Sequence, residues 1–327
     1  MGSSHVIAST QGGLVMTRLK VEDRALAYQG EWEVELTAAA SLHSRHVSTV
    51  TGGTQAAAVW SGYIRAVDIY ASKGSNYGIA EVYVDGALHS EADLYSPEET
   101  ASVRICSVSG LTDGIHRIEI RAKGDGHPSS SSDNINIDYL LPDFVPLVTP
   151  GLNRILCIGD SITFGANVTP RPGALFGRRL QQMLSLPVGI HGLSGAPIQT
   201  ITNVLDAVAA PRHPGLILWV AGMNNSNPGA DLEAGFDRIR ELMPGTAIIA
   251  STIPFNTYYT EAQNAAKVNE VKSACIHKGV PCVDLYAATM GNAYINKPEG
   301  TVHPNGDAHI LIANLFYQAI LEQFGLS

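Results

Sequence analysis

The chain has 327 residues, 45% of them hydrophobic and 16% charged, with a formal net charge of −9. That is apolar material enough for two packed cores and too much for a disordered chain, and no basic run is present to neutralise nucleic-acid phosphates. No stretch reaches the ~18 apolar residues of a membrane helix, so neither a nucleic-acid partner nor a membrane span is expected.

Residues 1–20 read as an N-terminal segment. Met1-Gly2-Ser3-Ser4-His5 lacks the basic start and apolar stretch of a signal peptide and looks partly like an expression scar, which leaves room for a natural leader cut away. Residues 21–141 carry strand signals: Trp32–Leu36, Ala57–Trp60, Arg65–Tyr70, Ala80–Val84 running into the hairpin dipeptide Asp85-Gly86, His116–Arg121 after Asp113-Gly114, and Asn134–Tyr139 as a last strand. Many short strands between turn signals predict an all-β jelly roll or β-sandwich. The serine-rich stretch from Gly124 to Asp133 is a loop. Residues 142–153 hold Pro142, Pro146, Pro150 and Gly151, and read as a semi-rigid linker.

From 154 to 327 the rhythm changes. Strands are expected at 154–158, 187–190, 215–221, 246–252 and 281–284, and helices near 173–185, 198–209, 231–242, 261–278 and 306–323. Uniformly apolar short strands alternating with helices predict a three-layer α/β/α domain on a flavodoxin-like parallel sheet. In such sheets sites gather at the carboxyl ends of the strands. Of the four cysteines, Cys157 reads as a reduced core residue, while Cys275 and Cys282 bracket a helix-to-strand connection where pairing stays open.

The apolar run Ile155-Leu156-Cys157-Ile158 leads into Gly159-Asp160-Ser161-Ile162-Thr163. A serine on a glycine-flanked turn after a buried strand presents its hydroxyl to a cleft, where a histidine can deprotonate it. Alone, such a serine is more often a turn or cap residue, and Asp160 reads as a holder of turn amides. Three further pieces follow: Leu193-Ser194-Gly195, Gly222-Met223-Asn224-Asn225, and Val302-His303-Pro304-Asn305 with His309 beyond. In this order and at roughly these distances the four pieces resemble the SGNH (GDSL-type) hydrolases over about residues 152–325. The resemblance implies that Ser161 is a nucleophile and His303 its base. The backbone N–H groups of Ser161 and Gly195 and the side chain of Asn224 would form the oxyanion hole, with His309 structural. No metal or other cofactor is implied.

Two positions depart from the family pattern. Its Gly-x-Asn-Asp ends here in Asn225; that aspartate is neither nucleophile nor base, so the change touches loop support more than chemistry. The aspartate expected three residues before His303 is Gly300, with Glu299 one residue earlier. Three arrangements stay open: Glu299 orients His303 through a shifted loop, a backbone carbonyl holds the ring in a Ser-His dyad, or the site is inactive. An orienting carboxylate is worth up to ~10⁴ in rate in the serine-protease template.

The N-terminal strands, with Asp85-Gly86 and Asp113-Gly114, are similar to the galactose-binding-like jelly rolls of bacterial secreted proteins. A jelly roll followed by an SGNH domain resembles two-domain carbohydrate acetyl esterases. The expectation is therefore a secreted or cell-surface serine esterase that takes an acylated carbohydrate or small ester. A lipase or arylesterase on longer acyl esters and an inactive glycan-binding module are the alternatives. Trp60 and Tyr63 flank an expected turn at Ser61-Gly62, and they and Trp32 read as core aromatics first and sugar contacts second. Tyr258 and Tyr259, after the fourth strand of the α/β half, fall on the expected rim as candidate substrate-binding residues.

Overall fold

The computed structural model describes residues 18–37, 40–41, 44–48, 56–124, 126–168, 173–290 and 302–326. The chain divides into two compact units, one through Pro146 and one from Leu147 to Gly325.

The first unit is antiparallel β-structure, as expected. Its strands are β1 (Val21–Glu22), β2 (Ala27–Gln29), β3 (Trp32–Leu36), β4 (Ser44–Ser48), β5 (Ala57–Lys73), β6 (Ile79–Val84), β7 (Ala87–Asp93), β8 (Thr100–Val108), β9 (Gly114–Ala122), β10 (Asn136–Ile137) and β11 (Tyr139–Phe144). Among the described residues one sheet runs β1-β11-β5-β9-β6-β7, with β2 and β8 also on β5, and a second runs β10-β4-β3. The hairpin between β6 and β7 turns on Asp85 (φ 50°) and Gly86 (φ 83°), the left-handed pair that a type I′ turn requires.

Three expectations are corrected here. Ser61-Gly62 is no turn: β5 runs unbroken for 17 residues, pairing with β9 in its first half and β8 in its second. Gly62 lies under the Trp60 ring, where a Cβ would stand 2.0 Å from the indole, so this glycine serves packing rather than chain reversal. Trp60 is accordingly core, 3% exposed and edge-on to Phe144, while Trp32 is half-buried against Tyr28. The last strand is two strands, and β11 continues through Pro142 into the stretch read as linker. Pro142 fits because, among the described residues, β1 pairs only with Tyr139 and Leu140 on that side of β11.

The second unit carries a five-stranded parallel sheet of order β13-β12-β14-β15-β16, formed by β12 (Ile155–Gly159), β13 (Val188–Gly192), β14 (Leu216–Val220), β15 (Ala247–Ser251) and β16 (Cys282–Val283). Its helices are α1 (Ser161–Phe164), α2 (Phe176–Leu184), α3 (Ile198–Asn203), α4 (Leu205–Val208), α5 (Pro228–Leu242), α6 (Glu261–Lys278), α7 (Leu285–Ala288) and α8 (Gly306–Gln323). Alternate residues along each strand bury on opposite faces. Leu156, Ile158, Ile217 and Trp219 join Ile201, Phe236 and Val271 from α3, α5 and α6. Cys157 and Ile190 meet α2 at Gly177 on the other face, and α2 packs on α8 through Phe176 and Phe316, ring centroids 5.7 Å apart. The single helix expected over 198–209 is broken into α3 and α4. Cys275 and Cys282 are free thiols. No described helix is long and apolar enough to cross a membrane.

Candidate active site

β12 delivers the serine. Gly159 ends this strand so close to β14 that a Cβ would stand 1.9 Å from the Val220 carbonyl oxygen. Asp160 then caps α1, its Oδ1 accepting from the Ile162 N–H at 2.9 Å, which is the amide-holding role the sequence suggested. Burial pushes the Asp160 carboxyl up to about 6, against the opposing pull of the amides of Ile162, Met223 and Gly222. Ser161 follows as the first residue of α1, so the helix makes no use of its N–H.

His303 arrives from the other end of the unit. It lies two residues before Asn305, which caps α8 by accepting from the Ala308 N–H at 2.9 Å. The structure brings the two together: His303 Nε2 is 3.1 Å from Ser161 Oγ, hydrogen-bond range for a nucleophile and its base. Burial lowers the His303 pKa from its ordinary value, which favours the neutral ring.

Sequence reasoning missed Asn167, whose side-chain Nδ2 is 3.3 Å from His303 Nδ1; the O and N of such an amide exchange places by a half turn. Asn167 follows α1 in a left-handed conformation, φ 63°, which asparagine tolerates better than most residues; one asparagine in a loop carries no other signal. For Nε2 to act as base, Nδ1 must hold the proton, and the amide must then present Oδ1 to it. Glu299 and Gly300 lie outside the described residues.

The remaining candidates meet on the same rim. Gly195 is exposed in a left-handed conformation, φ 75°, with open space where a Cβ would be. Asn224 is exposed beside it: its Nδ2 donates to the Ala196 carbonyl at 3.1 Å, which uses one of two N–H groups. Asn225 is buried and structural. Its Oδ1 accepts from the Ile198 N–H at 3.0 Å, and its Nδ2 donates to Asp231 at 2.7 Å and Gln199 at 3.2 Å. His309 is buried too, accepting through Nδ1 from the Phe176 N–H at 3.3 Å. Of the tyrosines, Tyr258 is 63% exposed, whereas Tyr259 donates its hydroxyl to the Met223 carbonyl at 3.1 Å. A cavity of about 630 Å³ lined by Arg154, Gln181, Val188 and Arg212 opens at the amino ends of β12 and β13, away from these groups.

A buried strand-turn serine, a histidine within reach and amide donors on adjoining loops are the parts that serine acyl transfer requires. Residues 157–310 match the GDSL-like lipase/acylhydrolase family. The second unit thus contains a GDSL-like lipase/acylhydrolase domain, and the protein is a carboxylic ester hydrolase. Among curated proteins none matches the chain. Similar solved structures include a lipase/acylhydrolase from Enterococcus faecalis, 16% identical over 54% of this chain and 99% of that one, with a TM-score of 0.46. A carbohydrate esterase family 2 enzyme plus carbohydrate-binding domain from Corynascus thermopiles (Myceliophthora fergusii) is 16% identical over 92% and 99%, TM-score 0.45. A family 2 carbohydrate esterase from Clostridium thermocellum in complex with cellohexaose is 15% identical over 92% and 100%, TM-score 0.44.

Two outcomes follow from this geometry. Asn225→Asp would set a second carboxylate against Asp231, so it should lower stability by about 1–3 kcal/mol at neutral pH, with the loss shrinking as pH falls and one carboxyl protonates. Urea unfolding at two pH values reads this. A base must be neutral to accept a proton, so the acid limb of kcat/KM should fall below the ordinary histidine value of about 6.5. A limb near 7.5 would instead reveal a carboxylate raising His303.

Proposed function

We propose that the protein is a serine esterase that removes short acyl groups, acetyl first, from a carbohydrate. The observation that carries this reading is the 3.1 Å approach of His303 Nε2 to Ser161 Oγ within an acylhydrolase domain. Ser161 Oγ attacks the ester carbonyl as His303 takes its proton. The tetrahedral oxyanion accepts hydrogen bonds from the N–H groups of Ser161 and Gly195 and from Asn224, each such donor being worth roughly 3 kcal/mol of barrier. His303 returns the proton to the departing sugar oxygen. It then deprotonates a water, which attacks the acyl-serine and releases the acid and free Ser161.

The carbohydrate part rests on surface chemistry. Tyr258 and Phe164, 63% and 41% exposed, offer aromatic faces on the loop that follows β15 and at the end of α1, where a sugar ring can stack. Tyr259 contributes its ring edge only, its hydroxyl being engaged. The antiparallel first unit, with its resemblance to galactose-binding-like jelly rolls, is compatible with a glycan substrate, and such a substrate fits a secreted or surface location. We favour a Ser-His dyad whose ring is oriented through Nδ1 by Asn167 or a carbonyl, over a triad completed by Glu299.

Hydrolysis of an aryl acetate by the native chain, beside Ser161→Ala, tests the reading. Activity that vanishes with the serine is expected; two equally inert proteins would favour a glycan-binding module instead. Acetate should be cleaved faster than octanoate, and the reverse order would point to a lipase or arylesterase. Glu299→Gln should reduce kcat less than tenfold, whereas a loss matching His303→Ala would make Glu299 the third member of a triad.

A further inference from the structure

The inner face of α6 buries Asn264, Lys267, Val268, Val271, Ala274 and Cys275, the spacing of a helix stripe turned to a core. Its apolar members sit in the core beneath the sheet. Its first two are polar, and one of them, Lys267, is a cation only 6% exposed. Burying an ammonium is costly unless its protons are used, and among the described residues Lys267 makes no ion pair. Burial accordingly lowers its pKa. A methionine would fill the same space at no such cost, so what the ammonium donates to is informative.

Lys267 Nζ donates to the carbonyl oxygens of Asn225 and Met223, the latter at 3.4 Å. These are the two residues that flank Asn224. The Met223 carbonyl also accepts from the Tyr259 hydroxyl, and the ammonium lies 4.8 Å from the Tyr259 ring centroid, within cation–π range. Tyr259 is itself held from below. Its N–H donates to Asn256 Oδ1 at 3.2 Å, and Asn256 donates to Asn264 Oδ1 at 2.8 Å. Asn225 is tied sideways to Ile198 and Asp231. Asn224 alone in this segment is exposed, and its side chain makes one hydrogen bond, to Ala196.

We infer that Lys267 is a positioning residue for the oxyanion hole: its buried ammonium clamps the carbonyls on either side of Asn224 and so aims that amide at the reacting carbonyl. The inference rests on Asn224 acting as an oxyanion donor. A short loop with two fixed neighbours leaves its middle side chain little freedom, and misplacement of such a donor by about 1 Å is costly, because a hydrogen bond must be ready where charge develops. A donor that engages only in the transition state affects kcat rather than substrate affinity.

The test compares Lys267→Met, which keeps the aliphatic stem and removes the donors, with Lys267→Arg, which keeps charge and donors. Two readouts are taken on the full chain: aryl-acetate kinetics, and the side-chain amide resonance of Asn224 in ¹⁵N-labelled protein without substrate. Lys267→Met should lower kcat at least tenfold with KM within twofold, and shift or broaden the Asn224 amide. Lys267→Arg should recover part of both. An unchanged Asn224 resonance together with kcat within twofold of native overturns the assignment, as does a loss confined to KM. Should Lys267→Met not fold, Lys267→Arg decides: a native resonance and partial kcat uphold the clamp, and a displaced resonance with native kcat overturns it. A native enzyme inert toward esters would sink the esterase reading, while the resonance would still report whether Lys267 holds Asn224.

Discussion

Three parallel strands end at one level, and the candidate site depends on that register. β12 runs between β13 and β14, with Gly159 opposite both Gly192 and Val220. The loops that leave these strands therefore start side by side: one carries Ser161, one Gly195 and one Asn224. A one-residue slip in any of the three would move its loop by about 3.3 Å and turn alternate side chains to the other face. β12 and β14, buried throughout, make such a slip expensive, because helices cover both faces. The apolar cores of the sheet thus fix a polar arrangement that no local interaction in those loops could hold alone.

The polar groups behind the rim follow a second rule. Asp160, Asn225, Asn256, Asn264, Lys267 and His309 are all buried, and each of them engages backbone N–H or carbonyl groups in loops or in the first turns of helices. Irregular backbone near a core needs partners for its amides, and side chains supply them where strands and helices stop. Buried polarity around the site therefore describes loop construction first. The groups proposed to carry the chemistry, Ser161, His303, Gly195 and Asn224, are not part of that construction. Asn225 illustrates the division. Where the family pattern has an acid, an amide here faces the carboxylate of Asp231 and still ties the loop to α3.

How much of this was legible beforehand varies by element. α6 and α8 begin and end where expected, since Thr260 and Gln263 form a capping box, Gly279 closes α6, and Asn305 opens α8. The strand pattern of the α/β unit was equally plain, because continuous apolar runs have one reading between helices. Gly62 misled, since composition cannot separate a glycine needed for a turn from one needed beneath an indole. Ser161 and His303 were visible through the blocks that contain them. Asn167 and Lys267 were not: a loop asparagine and a helix lysine look like solvated surface until tertiary structure puts one against an imidazole and the other under two carbonyls.

The Ser161 and His303 side chains stand 142 residues apart in the chain. One sits at the first turn of the α/β unit, and the other just before its last helix, which docks through Phe316 against Phe176. Closing so long a loop delays the contact until most of the unit is in place. Under the proposed mechanism, synthesis delivers the nucleophile turn well before its base. A nascent or C-terminally clipped chain would carry the serine without a means to activate it. Ester turnover would then report completion of folding, with the final helix acting as the step that arms the enzyme.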